Sequence, residues 1–195
     1  MVGEDDWLPP ERFVGGSFVL RSLMPGDGPA LFEAVTESRV VLRPRMPWVA
    51  SHRDVHASER QARQSRARWL LHEDFTLGIF ADDGATVVGG TGFHLREGPL
   101  EGRQAEVGMW LRTSWQGHGV GTEVLRAVLR WGFSPAWGWL RLSWRCDDNN
   151  LASIRVAEKA GLHCEGVLRH QASPAAGGPR RDTWCFAALA SQPAP

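Results

Sequence analysis

The 195-residue sequence has no tyrosine, a single lysine (Lys159) and only three cysteines. Cys146, Cys164 and Cys185 are odd in number and far apart, and they form no C-x-x-C pair. That argues against a disulfide framework or a metal site and fits a reducing compartment. Charge of one sign is also lacking: 22 basic residues balance 22 acidic ones. A general nucleic-acid binder is therefore not expected. No stretch reaches the roughly 18 consecutive apolar residues of a membrane span. The acidic opening MVGEDDWLPPERF has no apolar core of the kind a signal peptide carries. A cytoplasmic protein without a membrane partner is the expectation. What the chain does have is 43% hydrophobic residues and ten tryptophans, enough for one full core. The tryptophans are expected in that core or on cleft walls rather than stacking on bases.

Hydrophobic periodicity orders the chain. Residues 1–16, rich in acid, proline and glycine, read as a loosely docked arm, residues 17–190 as one domain, and 191–195 as a tail. Ser17 to Leu23 alternates as a first strand. Asp27 is placed to cap a helix over Ala30 to Glu37. Two prolines break regular structure between Arg43 and Trp48. A helix follows from Asp54 to His72, then a hairpin of Phe75 to Phe80 with Thr86 to Leu95. Ala105 to Leu111 is a fourth strand, and Val120 to Phe133 a helix. Trp139 to Cys146, the helix Leu151 to Ala160, and the strands Leu162 to Arg169 and Asp182 to Leu189 complete the order, the last two around a turn at 174–179. Antiparallel runs mixed with strand–helix–strand units predict a three-layer α/β (α+β) domain.

The stretch Gln116-Gly117-His118-Gly119-Val120-Gly121-Thr122 joins the fourth strand to the helix after it. A glycine-rich turn feeding a helix N-terminus presents unpaired N–H groups and the positive end of the helix dipole, a pocket for phosphate or pyrophosphate. No Gly-Lys-Ser/Thr ending follows, so it is not a P-loop, and Thr122 stands where the last glycine of a dinucleotide fingerprint should be. Gln116, Gly119 and Gly121 instead fit Gln/Arg-x-x-Gly-x-Gly.

That spacing resembles the pyrophosphate loop of the GNAT superfamily of acetyl-CoA-dependent N-acetyltransferases. Two more stretches agree. Asn150-Leu151-Ala152-Ser153-Ile154-Arg155-Val156-Ala157-Glu158-Lys159-Ala160-Gly161-Leu162, followed by Glu165-Gly166-Val167-Leu168-Arg169, is similar to the N-x-A-S-x-R-V-x-E-K-x-G-F…E-G-x-x-R run of the RimJ/RimL-type branch. Ala105-Glu106-Val107-Gly108-Met109-Trp110-Leu111 resembles the A-E-I-G-Y-W-L strand of that branch. The resemblance implies a mixed, mostly antiparallel central sheet splayed at the fourth strand, with acetyl-CoA as cosubstrate and no metal. It assigns Met109, Trp110 and Leu111 to the pantetheine arm, residues 116–122 to the pyrophosphate, and Asn150 to a pantetheine amide. It places Ser153 near the thioester sulfur. Arg43, Arg45, Trp48 and His94 are the expected contacts of an amine acceptor. Family practice also suggests a homodimer through the last hairpin.

Transfer to an amine requires a base, donors for the oxyanion, a hydrogen bond or proton for the thiolate, and alignment of the nucleophile. Glu106, on the strand lining the cleft, is the expected base, against the alternative of a glutamate paired with an arginine. Many GNAT enzymes carry a tyrosine seven residues after the asparagine, where this chain has Ala157. With no tyrosine available, Ser153 is expected to stabilise the sulfur while solvent delivers the proton; the alternative is helix capping beside Asn150. His94 could relay a proton or be a packed histidine. His52 and His56, spaced i, i+4, could form a metal pair on a helix but lack a third ligand. The expected reaction is acetyl transfer to a primary amine, by default a peptide N-terminal α-amine. The alternatives are a detoxification or self-immunity enzyme acting on a small amine, and a non-catalytic CoA-binding module.

Overall fold

The computed structural model describes residues 7–173 and 179–191. Eight strands form one sheet: β1 (Arg12–Val14), β2 (Phe18–Ser22), β3 (Phe75–Ala81), β4 (Val87–His94), β5 (Gln104–Leu111), β6 (Arg141–Asp147), β7 (His163–Ala172) and β8 (Arg181–Leu189). Their spatial order is β1-β2-β3-β4-β5-β6-β8-β7. Every neighbouring pair is antiparallel except β5 and β6, which are parallel. A parallel pair needs a crossover, and here α3 (Val120–Gly132) supplies it. The remaining helices are α1 (Gly28–Leu42), α2 (Val55–Leu70) and α4 (Leu151–Lys159).

Strand alternation divides the core in two. Phe18, Leu20, Leu77 and Ile79 join a large cluster with Leu125 and Leu129 of α3 and Ile154 and Ala157 of α4. Val19 and Phe80 join a smaller one with Leu31 and Val35 of α1 and Ala62 of α2. This is the three-layer mixed domain that the sequence pattern predicts. Trp69, Trp131, Trp137, Trp139 and Trp144 are buried, in accord with the core expectation.

Three local expectations are corrected. Part of the stretch read as an arm is structured: Arg12–Val14 pairs with β2, and Trp7 packs edge-on against Phe75 and Trp137. The splayed strand is consequently the fifth in the chain. Asp27 precedes α1 but makes no cap hydrogen bond. Its carboxylate accepts from Arg21 at 2.7 and 2.8 Å and from the Met24 N–H at 2.7 Å. The helix start is served instead by Glu59 of α2, which accepts the N–H groups of Gly26 and Gly28 at 3.0 and 3.1 Å. His52 and His56 do not share a helix, because α2 begins at Val55. Residues 174–178 of the expected final turn lie outside the described residues.

His52 has a structural consequence of its own. It is 2% exposed, with Nδ1 2.9 Å from the Ser58 hydroxyl, and the Arg39 guanidinium donates to its carbonyl at 2.6 Å. Burial, reinforced by the Arg39 charge, pulls the imidazole pKa from 6.5 down to about 4. The unfolded chain therefore takes up this proton at a higher pH than the folded one. Stability from this group is complete above pH 6.5, falls as the pH drops, and levels off below about 4. The expected total is about 3 kcal/mol. Urea unfolding of the wild type and His52→Gln at pH 7 and pH 4 measures it: the variant should lose less stability on acidification by roughly that amount, and parallel losses would refute the assignment.

Candidate active site

β5 and β6 share only three rungs, Gln104↔Arg141, Ala105↔Leu142 and Glu106↔Ser143. Beyond them β5 continues with β4 as far as Leu111, while β6 continues with β8 as far as Asp147. The two strands part, and a cavity of about 530 Å³ occupies the opening. Met109 and Trp110 form its β5 wall, and Trp144, Asn150 and Ser153 stand opposite. Charged groups cross-link the closed end. Glu97 accepts from Ser143 Oγ at 2.9 Å and from Arg145 Nη2 at 2.9 Å. Glu106 pairs with Arg96 and lies 3.9 Å from Arg145.

At the far end of β5 the glycine loop has the geometry of an anion site. Gly117 and Gly119 both have φ of +83°, and Gly119 is the residue from which α3 springs. Among the described residues, the N–H groups of residues 117–121 have no hydrogen-bond partner. Glycine is required at 117 and 119 for the left-handed backbone, since a Cβ at either would meet nothing within 4 Å. Gln116 does not face the loop's anion side: its amide donates to the Leu111 carbonyl at 2.8 Å and ties the loop to the strand. His118 is exposed. Neither the loop nor Leu111 borders the cavity, so the cavity and the glycine loop are separate stations along one strand.

Asn150 caps α4, its side-chain oxygen accepting the Ser153 N–H at 3.4 Å. That use of the oxygen leaves the amide NH₂ free to donate. The capping role thus belongs to Asn150 rather than to Ser153. Ser153 Oγ accepts from Trp144 Nε1 at 3.0 Å, which directs the hydroxyl proton elsewhere. Neighbouring Cys146 is pushed up in pKa by burial, a hydrogen bond with Ser153 opposing it, so this thiol stays neutral.

Among the expected acceptor contacts, Arg45, Trp48 and His94 line the cavity and Arg43 does not. Trp48 lies 5.7 Å from Trp110, ring to ring. Glu106 is in the cavity, only 12% exposed at its side chain, and is held by arginine. Two residues that sequence reasoning passed over complete the wall. Asp74 accepts from His94 Nδ1 at 3.0 and 3.1 Å and from Thr76 Oγ1 at 2.9 Å. Burial drives its carboxyl upward, but hydrogen bonds from His94 and Thr76 and the nearby positive charge outweigh burial, and its pKa is lowered. Arg68, at the end of α2, adds a cation whose guanidinium has no ion-pair partner among the described residues. The register of the hairpin places Asp74: Phe75 pairs with Phe93, which sets position 74 beside 94.

The family model described as acetyltransferase (GNAT) domain matches residues 17–163. The chain belongs to the GNAT acetyltransferase family. A probable N-acetyltransferase, YjcK, of Bacillus subtilis (strain 168) is 29% identical over 116 residues, a stretch covering 59% of this chain and 62% of that relative's length. Two solved structures share the fold. The ribosomal L7/L12 α-N-protein acetyltransferase RimL in complex with coenzyme A superimposes with a TM-score of 0.81 at 20% identity, covering 92% of this chain and 98% of that one. The microcin C7 self-immunity acetyltransferase MccE, in complex with acetyl-CoA and AMP, gives 0.79 at 19% identity, covering 93% and 98%.

For this GNAT domain the loop geometry makes a direct prediction. Acetyl-CoA at a hundred times its dissociation constant should stabilise by about 2.7 kcal/mol, a rise in Tm of roughly 5–10 °C for this size; NAD and ATP should give none. Gly119→Val, which forces a β-branched residue to positive φ where the N–H groups converge, should abolish most of the rise. An undiminished rise in the variant would place the pyrophosphate elsewhere.

Proposed function

We propose that the chain transfers the acetyl group of acetyl-CoA to a primary amine, with a protein or peptide N-terminal α-amine as its acceptor. The observation carrying this reading is the parting of β5 from β6. It leaves one edge of residues 107–111 without a strand neighbour, beside a cavity of about 530 Å³ and in line with five unpartnered loop N–H groups. An extended pantetheine arm suits that edge, with the Asn150 NH₂ donating to one of its carbonyls. Backbone N–H groups of β5 near the cavity would then serve the oxyanion. The Ser153 hydroxyl would donate to the departing sulfur in place of its hydrogen bond with Cys146, Trp144 fixing the oxygen from behind. The likeness in fold to a ribosomal-protein α-N-acetyltransferase supports the peptide acceptor. So does chemistry, because an α-amine with pKa near 8 gives up its proton more readily than a lysine near 10.4.

A second reading, acetylation of a small amine in detoxification or self-immunity, is favoured by the partly exposed Trp48 beside Trp110, two mutually inclined rings that offer apolar surface without requiring a peptide. The unbridged cysteines support a reducing, cytoplasmic setting, and the exposed edge strand β7 is where a homodimer contact would form.

Thiol release from acetyl-CoA with short peptides bearing free N-termini tests the acceptor, checked by mass spectrometry for one added acetyl. Turnover with a free N-terminus and none with an Nα-blocked, lysine-containing peptide is expected; the reverse preference would overturn the α-amine assignment. Ser153→Ala should lower kcat by about 10- to 100-fold, the worth of a hydrogen bond to a developing charge. Its acetyl-CoA affinity should hold within about twofold on the same reasoning. A matching loss of affinity would make Ser153 a binding residue instead.

A further inference from the structure

His94 ends β4 at the point where β5 leaves β6. Its ring lies over two glycines that face each other across the strands, Gly92 and Gly108. A Cβ at Gly92 would come within 3.1 Å of His94 Cε1, and one at Gly108 within 3.3 Å of His94 Nε2. Bare backbone on both strands is therefore what lets the imidazole lie flat at the mouth of the opening. The side chain is only 14% exposed. Nδ1 meets both oxygens of Asp74, which is itself fixed by the Thr76 hydroxyl. An ionised carboxylate can only accept, so Nδ1 carries the proton and the lone pair sits on Nε2. Among the described residues no group takes up Nε2, and both residues line the cavity. Glu106, by contrast, is engaged by Arg96 and approached by Arg145.

We infer that His94 is the general base of the acetyl transfer and Asp74 its positioning residue, with Glu106 serving to cross-link the closed end of the strands. The inference rests on the acetyl-transfer reading above. The amine arrives as R–NH₃⁺ and gives one proton to Nε2. Its lone pair attacks the thioester carbonyl, the C–N bond forms, and the C–S bond breaks. The second N–H proton ends on the CoA sulfur, and the imidazolium returns its proton to water. The balance is R–NH₃⁺ plus acetyl-CoA giving the amide, CoA thiol and H⁺. Besides Asp74, the charged groups lining the same cavity are Arg45 ahead of the turn at 47–51, Arg68 on α2, Arg96 after β4, Glu106 on β5, and Arg145 and Asp147 on β6.

The test has two arms. In the first, ¹⁵N shifts of the histidine rings in the wild-type protein, assigned by comparison with His94→Gln, should show neutral His94 protonated on Nδ1. That preference should weaken in Asp74→Asn. Neutral His94 protonated on Nε2 overturns the proposal whatever the acceptor is. In the second, turnover is measured against pH with short free-N-terminal peptides and with benzylamine. His94→Gln should lower kcat by about 100-fold or more, lose the inflection contributed by the imidazole, and keep its acetyl-CoA affinity. His94→Ala should recover part of its rate in added imidazole. Asp74→Asn should fall between His94→Gln and wild type. A His94→Gln rate within about threefold of wild type, on whichever amine is turned over, sinks the base assignment. Wild-type turnover of benzylamine but not of peptides refutes only the peptide acceptor, and the His94 comparison is then decided on benzylamine. Should neither amine turn over, the Nδ1 or Nε2 result alone decides for or against the dyad.

Discussion

Two parallel strands that begin as partners and then separate are the constraint on which the rest of this molecule depends. β5 and β6 hold together for three rungs, and the last of them is secured by side chains rather than by more backbone. Glu97 gathers Ser143 and Arg145, and Arg96 and Arg145 hold Glu106, so the closed end is fastened from both strands. Past that point β6 belongs to β8, and its inward residue Trp144 reaches α4 instead of β5. One edge of β5 is left without the strand partner that interior backbone requires. An extended, amide-bearing cosubstrate would satisfy that edge. At the end of the same strand, Gln116 bonds back to Leu111 and fixes where the row of free N–H groups begins. The parting therefore sets the distance between the cavity and the row of free N–H groups.

Two carboxylates in the opening show how environment divides labour between like groups. Glu106 is engaged by guanidinium groups, which satisfies its charge and leaves it little reason to take a proton from an amine. Asp74 accepts from an imidazole whose other nitrogen is open. A carboxylate spent on arginine holds strands together. One spent on histidine prepares a base.

Much of this was legible in the chain, and the parts that were not have identifiable physical causes. Long periodic elements such as α3 and β5 were placed within a residue or two, because their apolar faces repeat clearly. The glycine loop was found for its unpaired N–H groups, and the structure adds a second reason for glycine at 117 and 119, their positive φ. Asp27 looked like a helix cap because local spacing cannot reveal that Arg21 claims it and that Glu59, 31 residues from Gly28 along the chain, takes the role. Asp74 was missed through register. The β3–β4 pairing slips by one residue at Ile79/Phe80, where Val88 is the extra residue. Counting rungs from the turn would set Glu73 opposite His94, and the bulge brings Asp74 there instead. A single inserted residue decides which acid meets the imidazole, and nothing in the local composition announces it.

The missing tyrosine fits this division. Position 157, one turn after Ser153, is an alanine with no exposure, so no hydroxyl extends from that turn of α4. Ser153 remains, with its oxygen pinned by Trp144 and its hydroxyl beside Cys146. A hydroxyl is a poor acid, but the leaving group asks little of it. A thiol with a pKa near 8.5 departs as a fairly stable anion, for which a hydrogen bond is enough and water can complete the protonation. The amine asks more, because it stays a non-nucleophilic ammonium until its proton is taken. The demand for a true proton acceptor therefore falls on the acceptor side of the cavity, where Asp74 and His94 stand, and the sulfur side can function without a phenol.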